Sequence, residues 1–179
     1  MGYDKNKFHF VCATVIIVNS EGKFLIAKRA SWEKAFPSKW TVPGGKLEVL
    51  DYVLKQKDTS AQWYNVLENL CKREVMEEVG LEIKNIDYVT SLTFIRPDEI
   101  PVVVLSYSAE LVDENAKISL DSSLTDYKWV SLEEAREFDL IDGIYEELEV
   151  LDKKLKTGNM DEWKNNSFED ELRMRDLRD

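Results

Sequence analysis

The first third of the chain shows the hydrophobic pattern of short strands separated by turns. The stretch 8–18 is apolar and rich in β-branched residues, and a turn signal, Asn-Ser-Glu-Gly, follows at 19–22. A second apolar run at 23–28 then predicts the returning strand of a hairpin. After an irregular loop that contains aromatic residues, a short strand is predicted at 40–42.

Further along, the apolar positions change to a helical period. Apolar side chains recur every three or four positions, at Leu67, Leu70, Cys71, Val75 and Val79. This spacing places them on one face of a helix, where such a stripe normally packs into the core. We therefore predict a helix that begins between residues 60 and 65 and ends at Val79.

The second half of the chain returns to strands and closes with helices. Three strands are predicted, at 83–94, 102–111 and 127–130. Ser131 and Glu134 have the spacing of a capping box at the start of a helix. A last helix is predicted at 141–156, closed by Gly158. Strands and helices in this order do not alternate as in a doubly wound sheet, which favours an α+β arrangement.

The length and composition limit the number of domains and the class of protein. With 179 residues, 44% of them hydrophobic, we predict one domain over 1–158 and a charged tail or short helix over 159–179. No apolar run approaches the roughly 20 residues that span a bilayer, so we expect no membrane association. The net charge of −11 argues against binding to long nucleic acids, which requires Lys and Arg to neutralise phosphates.

The two cysteines and the single histidine limit the cellular compartment and the kinds of metal site that we expect. Cys12 lies in a predicted strand and Cys71 on the apolar side of the predicted helix, so both are interpreted as buried structural thiols. Unpaired thiols of this kind are typical of a reducing, cytoplasmic compartment. His9 is the only histidine, which excludes metal sites built from several histidines.

Three carboxylates on the predicted helix are the main chemical feature of the sequence. Glu74, Glu77 and Glu78 are spaced at i, i+3 and i+4, and they therefore share one face. Such clusters are usually solvated surfaces. The alternative is a site for a hard cation such as Mg²⁺ or Mn²⁺, which prefers carboxylate oxygens. Upstream, the segment 42–48 reads Val-Pro-Gly-Gly-Lys-Leu-Glu, and its paired glycines allow the backbone to approach a ligand closely.

Together these two segments resemble the signature of the Nudix hydrolase family, Gly-x5-Glu-x7-Arg-Glu-U-x-Glu-Glu-x-Gly-U, where U is aliphatic. Gly45 matches the opening glycine. The second half matches at every specified position: Arg73, Glu74, Val75, Glu77, Glu78, Gly80 and Leu81. The resemblance extends more loosely over about 8–155. It implies an α/β/α sandwich, in which a mixed β-sheet is flanked by helices.

The signature is interrupted in this chain. The arginine follows the opening glycine by 28 residues, which implies an insertion of about 14 residues that we place at 49–64. The insertion is expected to be a lid, an added helical turn or a surface loop. Counting back from Arg73 places the first signature glutamate at Asn65, which lacks the charge to pair strongly with the arginine. Glu68 and Asp58 are the alternative partners.

The resemblance implies hydrolysis of a diphosphate linkage in a nucleoside diphosphate joined to another moiety, such as a nucleotide sugar, ADP-ribose or a nucleoside triphosphate. Mg²⁺ or Mn²⁺ is the implied cofactor. Glu74 and Glu78 are the implied principal metal ligands, and Glu77 is a further ligand or the base that accepts a proton from water. Gly45 would contribute its carbonyl oxygen and Glu48 an additional ligand.

Four further residues complete the predicted site. Arg73 is expected to orient the glutamates, and with Glu77 and Glu78 it forms the predicted catalytic group. Arg29 and Arg96 are candidate phosphate contacts, and Trp40 is a third candidate substrate contact. A base from a distant loop is an alternative in this family, at Asp98, Glu99, Asp121 or Asp126.

The expected binding partner is a small nucleotide. The protein could also form a homodimer, as many members of the family do. A non-catalytic Nudix-like module that binds or senses nucleotides is the alternative function. It is disfavoured because all three signature glutamates are present. An isoprenyl diphosphate isomerase, which shares the fold, is disfavoured because it needs several histidine ligands.

Overall fold

The computed structural model describes residues 7–159, so all of the predicted tail at 159–179 except its first residue lies outside the described residues. Its elements, in chain order, are β1 (Phe10–Val18), β2 (Phe24–Arg29), β3 (Trp40–Thr41), β4 (Gly44–Lys46), α1 (Val66–Val79), β5 (Ile83–Ile95), β6 (Pro101–Leu111), β7 (Leu124–Val130), α2 (Leu132–Ala135) and α3 (Ile144–Thr157). A single 3-10 turn at Val49–Asp51 lies between β4 and α1. No helix within this range is long and apolar enough to cross a membrane.

The strands form one mixed sheet, as the resemblance implies. β1 is its central strand, parallel to β6 and antiparallel to both β2 and β4. β5 pairs with β6 at one edge. On the other side, β2 carries both β3 and β7 in antiparallel pairing. The apolar, β-branched composition of β1 suits this central position, where both faces of the strand are covered.

Helices cover both faces of the sheet, which gives the α/β/α sandwich. Because successive side chains of a strand point to opposite faces, the residues of β1 divide between two cores. Val15 and Ile17 pack in the core that contains Leu70 and Val75 of α1. Ile16 packs instead in the core that contains Leu148 of α3. We refer to these two sides of the sheet as the α1 face and the α3 face.

Helix α1 has the predicted apolar stripe, but it begins later than predicted. Leu70, Cys71, Val75 and Val79 are buried, and Leu67 is partly buried against the same core. The helix begins at Val66 because Asn65 has a left-handed backbone with φ of 53°. It ends at Val79, where Gly80 has φ of 70° and donates its N–H to the Met76 carbonyl, a common helix termination.

Two local features differ from the sequence prediction. Gly44–Lys46 forms the strand β4, where the sequence analysis predicts no strand, because the glycines lie close against β1. A Cβ atom on Gly44 would fall 2.4 Å from the Ala13 carbonyl oxygen. The last helix begins at Ile144, three residues later than predicted, and Gly143 precedes it with φ of 91°. The capping box of Ser131 and Glu134 is confirmed.

Candidate active site

Glu74 and Glu78 lie one helical turn apart on α1, and both contact the glycine pair of β4. The Gly44 N–H donates a hydrogen bond of 3.0 Å to Oε2 of Glu78. A Cβ atom on Gly45 would lie 2.1 Å from Oε1 of Glu74. Only glycine therefore leaves room for this carboxylate, and the glycine pair determines where both acidic side chains lie.

These two carboxyl groups share a partly buried, acidic environment. Burial raises the pKa of Glu78 to about 7, the Gly44 N–H opposes this change, and the nearby Glu74 and Asp121 reinforce it. Burial also raises the pKa of Glu74, against the attraction of Arg73. Two acidic groups held together in this way would be stabilised by a bound cation.

Arg73 connects three carboxylates around the site. Its Nε donates to Oδ1 of Asp51 at 2.8 Å, and its Nη1 donates to Oε2 of Glu77 at 2.8 Å. Its Nη2 lies 2.9 Å from Oε1 of Glu74. Because the guanidinium group is planar, these three contacts fix the directions of the acidic side chains relative to each other. This arrangement fits the orienting function predicted for Arg73.

Asp51 is the residue that the sequence analysis missed. The sequence predicts the partner of Arg73 at Asn65, with Glu68 or Asp58 as alternatives. These predictions are wrong. Asp58 accepts a bond from the Tyr64 N–H instead. Asp51 follows Gly45 by six residues, which is the spacing of the first signature glutamate. Counting forward from the glycine, rather than back from the arginine, would have identified it.

The inserted residues therefore lie between Asp51 and α1, and the 3-10 turn at 49–51 belongs to the signature. The segment 52–65 contains no regular helix, and within the predicted insertion at 49–64 the helical element is the 3-10 turn at Val49–Asp51. The rings of Tyr52 and Trp63 are 5.2 Å apart, and the Trp63 Nε1 donates to the Lys55 carbonyl at 3.0 Å. These contacts close the segment on itself as a loop.

The three candidate substrate contacts lie in different environments. Arg29 bonds to Glu33 at 2.9 Å, and it is close enough to Glu78 to lower the pKa of that carboxyl. Arg96 bonds to Asp98 at 2.7 Å, and its guanidinium lies 5.6 Å from the centre of the Phe10 ring.

Trp40 is a correction to the sequence analysis. Its side chain is buried in the core of the α3 face, and its ring lies 4.8 Å from that of Phe138. Because only 8% of Trp40 is exposed, its ring offers little surface to a substrate, and Trp40 is not a candidate contact.

Glu48 is exposed, and its backbone N–H donates to Oδ2 of Asp51 at 2.7 Å. Across residues 7–159, no three His, Cys, Asp or Glu side chains are assembled tightly enough to hold a metal by themselves. Mg²⁺ commonly uses only one or two carboxylates, with waters and substrate phosphates as its other ligands. Glu74, Glu78 and the Gly45 backbone meet that smaller requirement.

Comparisons with known proteins agree with this geometry. The family model described as NUDIX domain matches residues 8–151. The nucleoside triphosphatase NudI of Escherichia coli K12 is 24% identical over 135 residues, which cover 69% of this chain and 84% of NudI. The crystal structure of a MutT protein from Methanosarcina mazei Go1 is 25% identical and superposes with a TM-score of 0.63, covering 86% of this chain and 100% of that one. The NUDIX domain of Shewanella oneidensis NrtR, solved with ADP ribose, has a TM-score of 0.64 at 18% identity, covering 86% and 94%.

Proposed function

The chain belongs to the NUDIX domain family, and from this membership we propose that it hydrolyses a phosphoanhydride bond in a nucleoside diphosphate linked to another moiety. The observation that carries the proposal is the pair Glu74 and Glu78, held against Gly44 and Gly45 and oriented through Arg73. The alternative is a module that only binds nucleotides. No comparable observation supports it, because the acidic residues that the signature requires for hydrolysis are all present at the site.

We propose Mg²⁺ or Mn²⁺ as the cofactor. Glu74 and Glu78 would hold it with the Gly45 carbonyl oxygen, and the exposed Glu48 would contribute directly or through water. A bound cation of this kind neutralises phosphate charge and lowers the pKa of a coordinated water. The acidic pair supports the proposal because these two partly buried carboxylates have too little positive charge around them without a cation.

The protein groups would position the substrate and accept a proton. Water attacks phosphorus, the bond from phosphorus to the bridging oxygen breaks, and the proton of water passes to a carboxylate. Glu77 is proposed as this base, or as a further metal ligand, because its side chain is 57% exposed and Arg73 fixes its direction. Arg29 and Arg96 would attract the phosphate oxygens, since positioning and charge stabilisation dominate phosphoryl transfer.

The proposed substrate is a small nucleotide. NudI is described as a nucleoside triphosphatase, and the NrtR domain binds ADP ribose. These names support testing nucleoside triphosphates and ADP-ribose-like diphosphates first. We also propose a cytoplasmic location, which the two free cysteines, Cys12 and Cys71, support.

The experiment is a hydrolysis assay of the full chain against ADP-ribose, nucleotide sugars, dinucleoside polyphosphates and nucleoside triphosphates. Each is incubated with Mg²⁺, with Mn²⁺ and with EDTA, and a coupled phosphatase converts monophosphate products to measurable phosphate. We expect cleavage of one substrate group that EDTA abolishes. A folded protein that binds Mn²⁺ yet cleaves nothing would overturn the hydrolase and favour a binding function.

A further inference from the structure

Strand β5 forms one edge of the mixed sheet. It pairs with β6 on one side, and no strand of residues 7–159 lies along its other side. The pairing with β6 is irregular before Thr90 and regular over 90–95, and we call this regular stretch the β5 edge. An open strand presents backbone N–H and C=O groups that can pair with another strand. The β5 edge is therefore a potential surface for strand pairing.

The β5 edge lacks the residues that usually protect an open strand. Charged side chains and proline are the common protection. The stretch 88–95 contains neither, although charged residues make up 33% of the chain. By contrast, β7 on the other side of the sheet carries Asp126 and Lys128. Apolar side chains are also accessible at the β5 edge, with Phe94 37% exposed and Ile95 74% exposed. This composition favours association with another strand.

The hairpin between β5 and β6 determines which backbone groups point outward. The Arg96 N–H donates to the Ile100 carbonyl at 3.0 Å, so Arg96 directs its N–H toward β6. Bonded and non-bonded positions alternate along an antiparallel pair, and therefore Ser91, Thr93 and Ile95 direct their N–H and C=O groups away from β6. Each of these three residues offers one donor and one acceptor to a partner strand.

The side chains of the β5 edge divide between the two faces of the sheet. Ser91 pairs with Leu105, which packs against the core of the α1 face, so Ser91 and the alternate residue Thr93 lie on that face. Leu92 and Phe94 lie on the α3 face. A partner strand must therefore place a polar group beside Thr93 on one face and apolar groups beside Leu92 and Phe94 on the other.

A second copy of the same strand meets both requirements. A twofold axis through Thr93, perpendicular to the sheet, places Thr93 opposite itself and Ser91 opposite Ile95 of the other copy. Each of these residue pairs exchanges two backbone hydrogen bonds. On the α3 face, Leu92 then lies opposite Phe94. Pairs of threonines and pairs of large apolar side chains are both favourable across neighbouring strands.

Charges beside the β5 edge do not oppose such a contact. The residues that flank the uncharged stretch 88–95 are Asp87 and Arg96. Asp87 forms an ion pair with Lys154 of α3, and Arg96 forms one of 2.7 Å with Asp98. Both flanking charges are therefore compensated within one copy, although the whole chain has a net charge of −11.

We propose that two copies of this chain pair through the β5 edge, antiparallel, with Thr93 on the twofold axis. The two sheets then form one continuous sheet across the dimer, and each copy keeps its helices on both faces. The position and register of the contact follow from the residues of β5. The contact does not involve Glu74 or Glu78, so it does not depend on the proposed hydrolysis.

Sedimentation equilibrium of the full chain tests the contact, with variants at Thr93. We expect the original protein to dimerise at micromolar concentration. Thr93→Lys and Thr93→Glu each place like charges about 5 Å apart across the axis, so each should raise the dissociation constant of the dimer about tenfold or more. An equimolar mixture of the two variants should dimerise again, because lysine then faces glutamate.

Thr125→Lys is the matched control, because Thr125 is an exposed threonine of another strand, β7. It should dimerise as the original protein does. Three results would each overturn the proposal: a monomeric original protein, an unchanged dissociation constant in both Thr93 variants, or a mixture that associates no better than its components.

Amide hydrogen exchange of the original protein provides a second measurement, which needs no substitution. The N–H groups of Ser91, Thr93 and Ile95 should be protected where the dimer predominates and should exchange rapidly after dilution. The N–H of Leu92 points toward β6 and should be protected under both conditions. Rapid exchange of all three outward N–H groups in the dimer would show that the copies associate elsewhere, and would overturn the pairing.

Discussion

Nε of Arg73 on α1 donates a hydrogen bond of 2.8 Å to Oδ1 of Asp51, a residue 22 positions earlier in the chain. This bond joins the residue that precedes the inserted loop 52–65 to the helix that follows the loop. It brings the interrupted halves of the signature together, because the same arginine also contacts Glu74 and Glu77. The insertion therefore lengthens the chain without separating the residues of the site.

Asp51→Asn tests this relationship. The substitution removes the negative charge and leaves an oxygen that can still accept one hydrogen bond. A charge-assisted bond contributes roughly 1.5–3 kcal/mol, so we expect part of that stability to be lost. Because Arg73 would be less well positioned, we also expect turnover to fall about tenfold. Thermal unfolding and the hydrolysis assay measure the two effects.

Asn65→Gly is the control, since glycine accepts the left-handed backbone of Asn65 and removes only its amide. It should leave turnover near that of the original protein. A large loss of turnover with Asn65→Gly, and none with Asp51→Asn, would show that Asn65 has the function of the first signature glutamate after all.

The strands and the buried face of α1 were predictable because both depend on hydrophobic periodicity, whereas the mixed sheet followed from the resemblance to the Nudix family. The apolar, β-branched run of β1 and the helical spacing of Leu70 and Val75 are local properties of the sequence. The Glu cluster was also predictable, since its members lie on one helix. These features need no knowledge of which distant residues meet.

The features that sequence reasoning missed depend on contacts between distant segments. Asp51 keeps the signature spacing from Gly45, but its contact with Arg73 spans the inserted loop, so a count back from the arginine does not reach it. Trp40 lies in a short strand next to the active site, but its burial against Phe138 depends on how the segment after α2 packs. The pairing of Glu147 with Ser106 likewise joins a helix to a strand 41 residues away.

Gly45→Ala should impair the site more than the fold. The new Cβ would lie 2.1 Å from Oε1 of Glu74. A flexible carboxylate can move away at little cost in stability, but it would then leave its position beside Glu78. We expect turnover to fall about a hundredfold, as for other displaced catalytic groups, with little change in the melting temperature.

Gly22→Ala gives the opposite result and serves as the comparison. Gly22 has φ of 74°, and no atom lies within 4 Å of a Cβ placed there. The backbone strain should lower stability by about 1 kcal/mol, whereas turnover at a temperature well below unfolding should not change. If Gly45→Ala were to lower stability and turnover in parallel, the loss of turnover would reflect unfolding rather than displacement of Glu74.

Glu78→Gln should lower turnover by on the order of a hundredfold or more, because loss of a metal ligand costs several kcal/mol of transition-state stabilisation. The fold should be retained, since the amide oxygen can still accept the Gly44 N–H. Circular dichroism and the hydrolysis assay test both expectations. Glu82→Gln, at an exposed position beyond the helix, is the control and should have normal turnover. Near-normal turnover of Glu78→Gln would exclude this assignment of the site.

Glu147 should make the protein less stable as the pH rises. Burial raises the pKa of Glu147 above its ordinary value of 4.5, so the folded state binds this proton more tightly than the unfolded state. Stability therefore falls between pH 4.5 and the raised pKa, and the loss is complete above that pKa. Glu147→Gln removes this titration while keeping a group that can bond to Ser106.

The free energy of unfolding by urea, measured for both proteins between pH 4 and pH 8, isolates the contribution of this residue. Other carboxyl groups titrate in both proteins, so the difference between the two curves is the relevant quantity. We expect Glu147→Gln to gain stability relative to the original protein as the pH rises, because only the original protein must then ionise a buried carboxyl. A difference that stays constant with pH would mean that Glu147 ionises as readily in the folded protein as in the unfolded chain, and that its burial carries no cost.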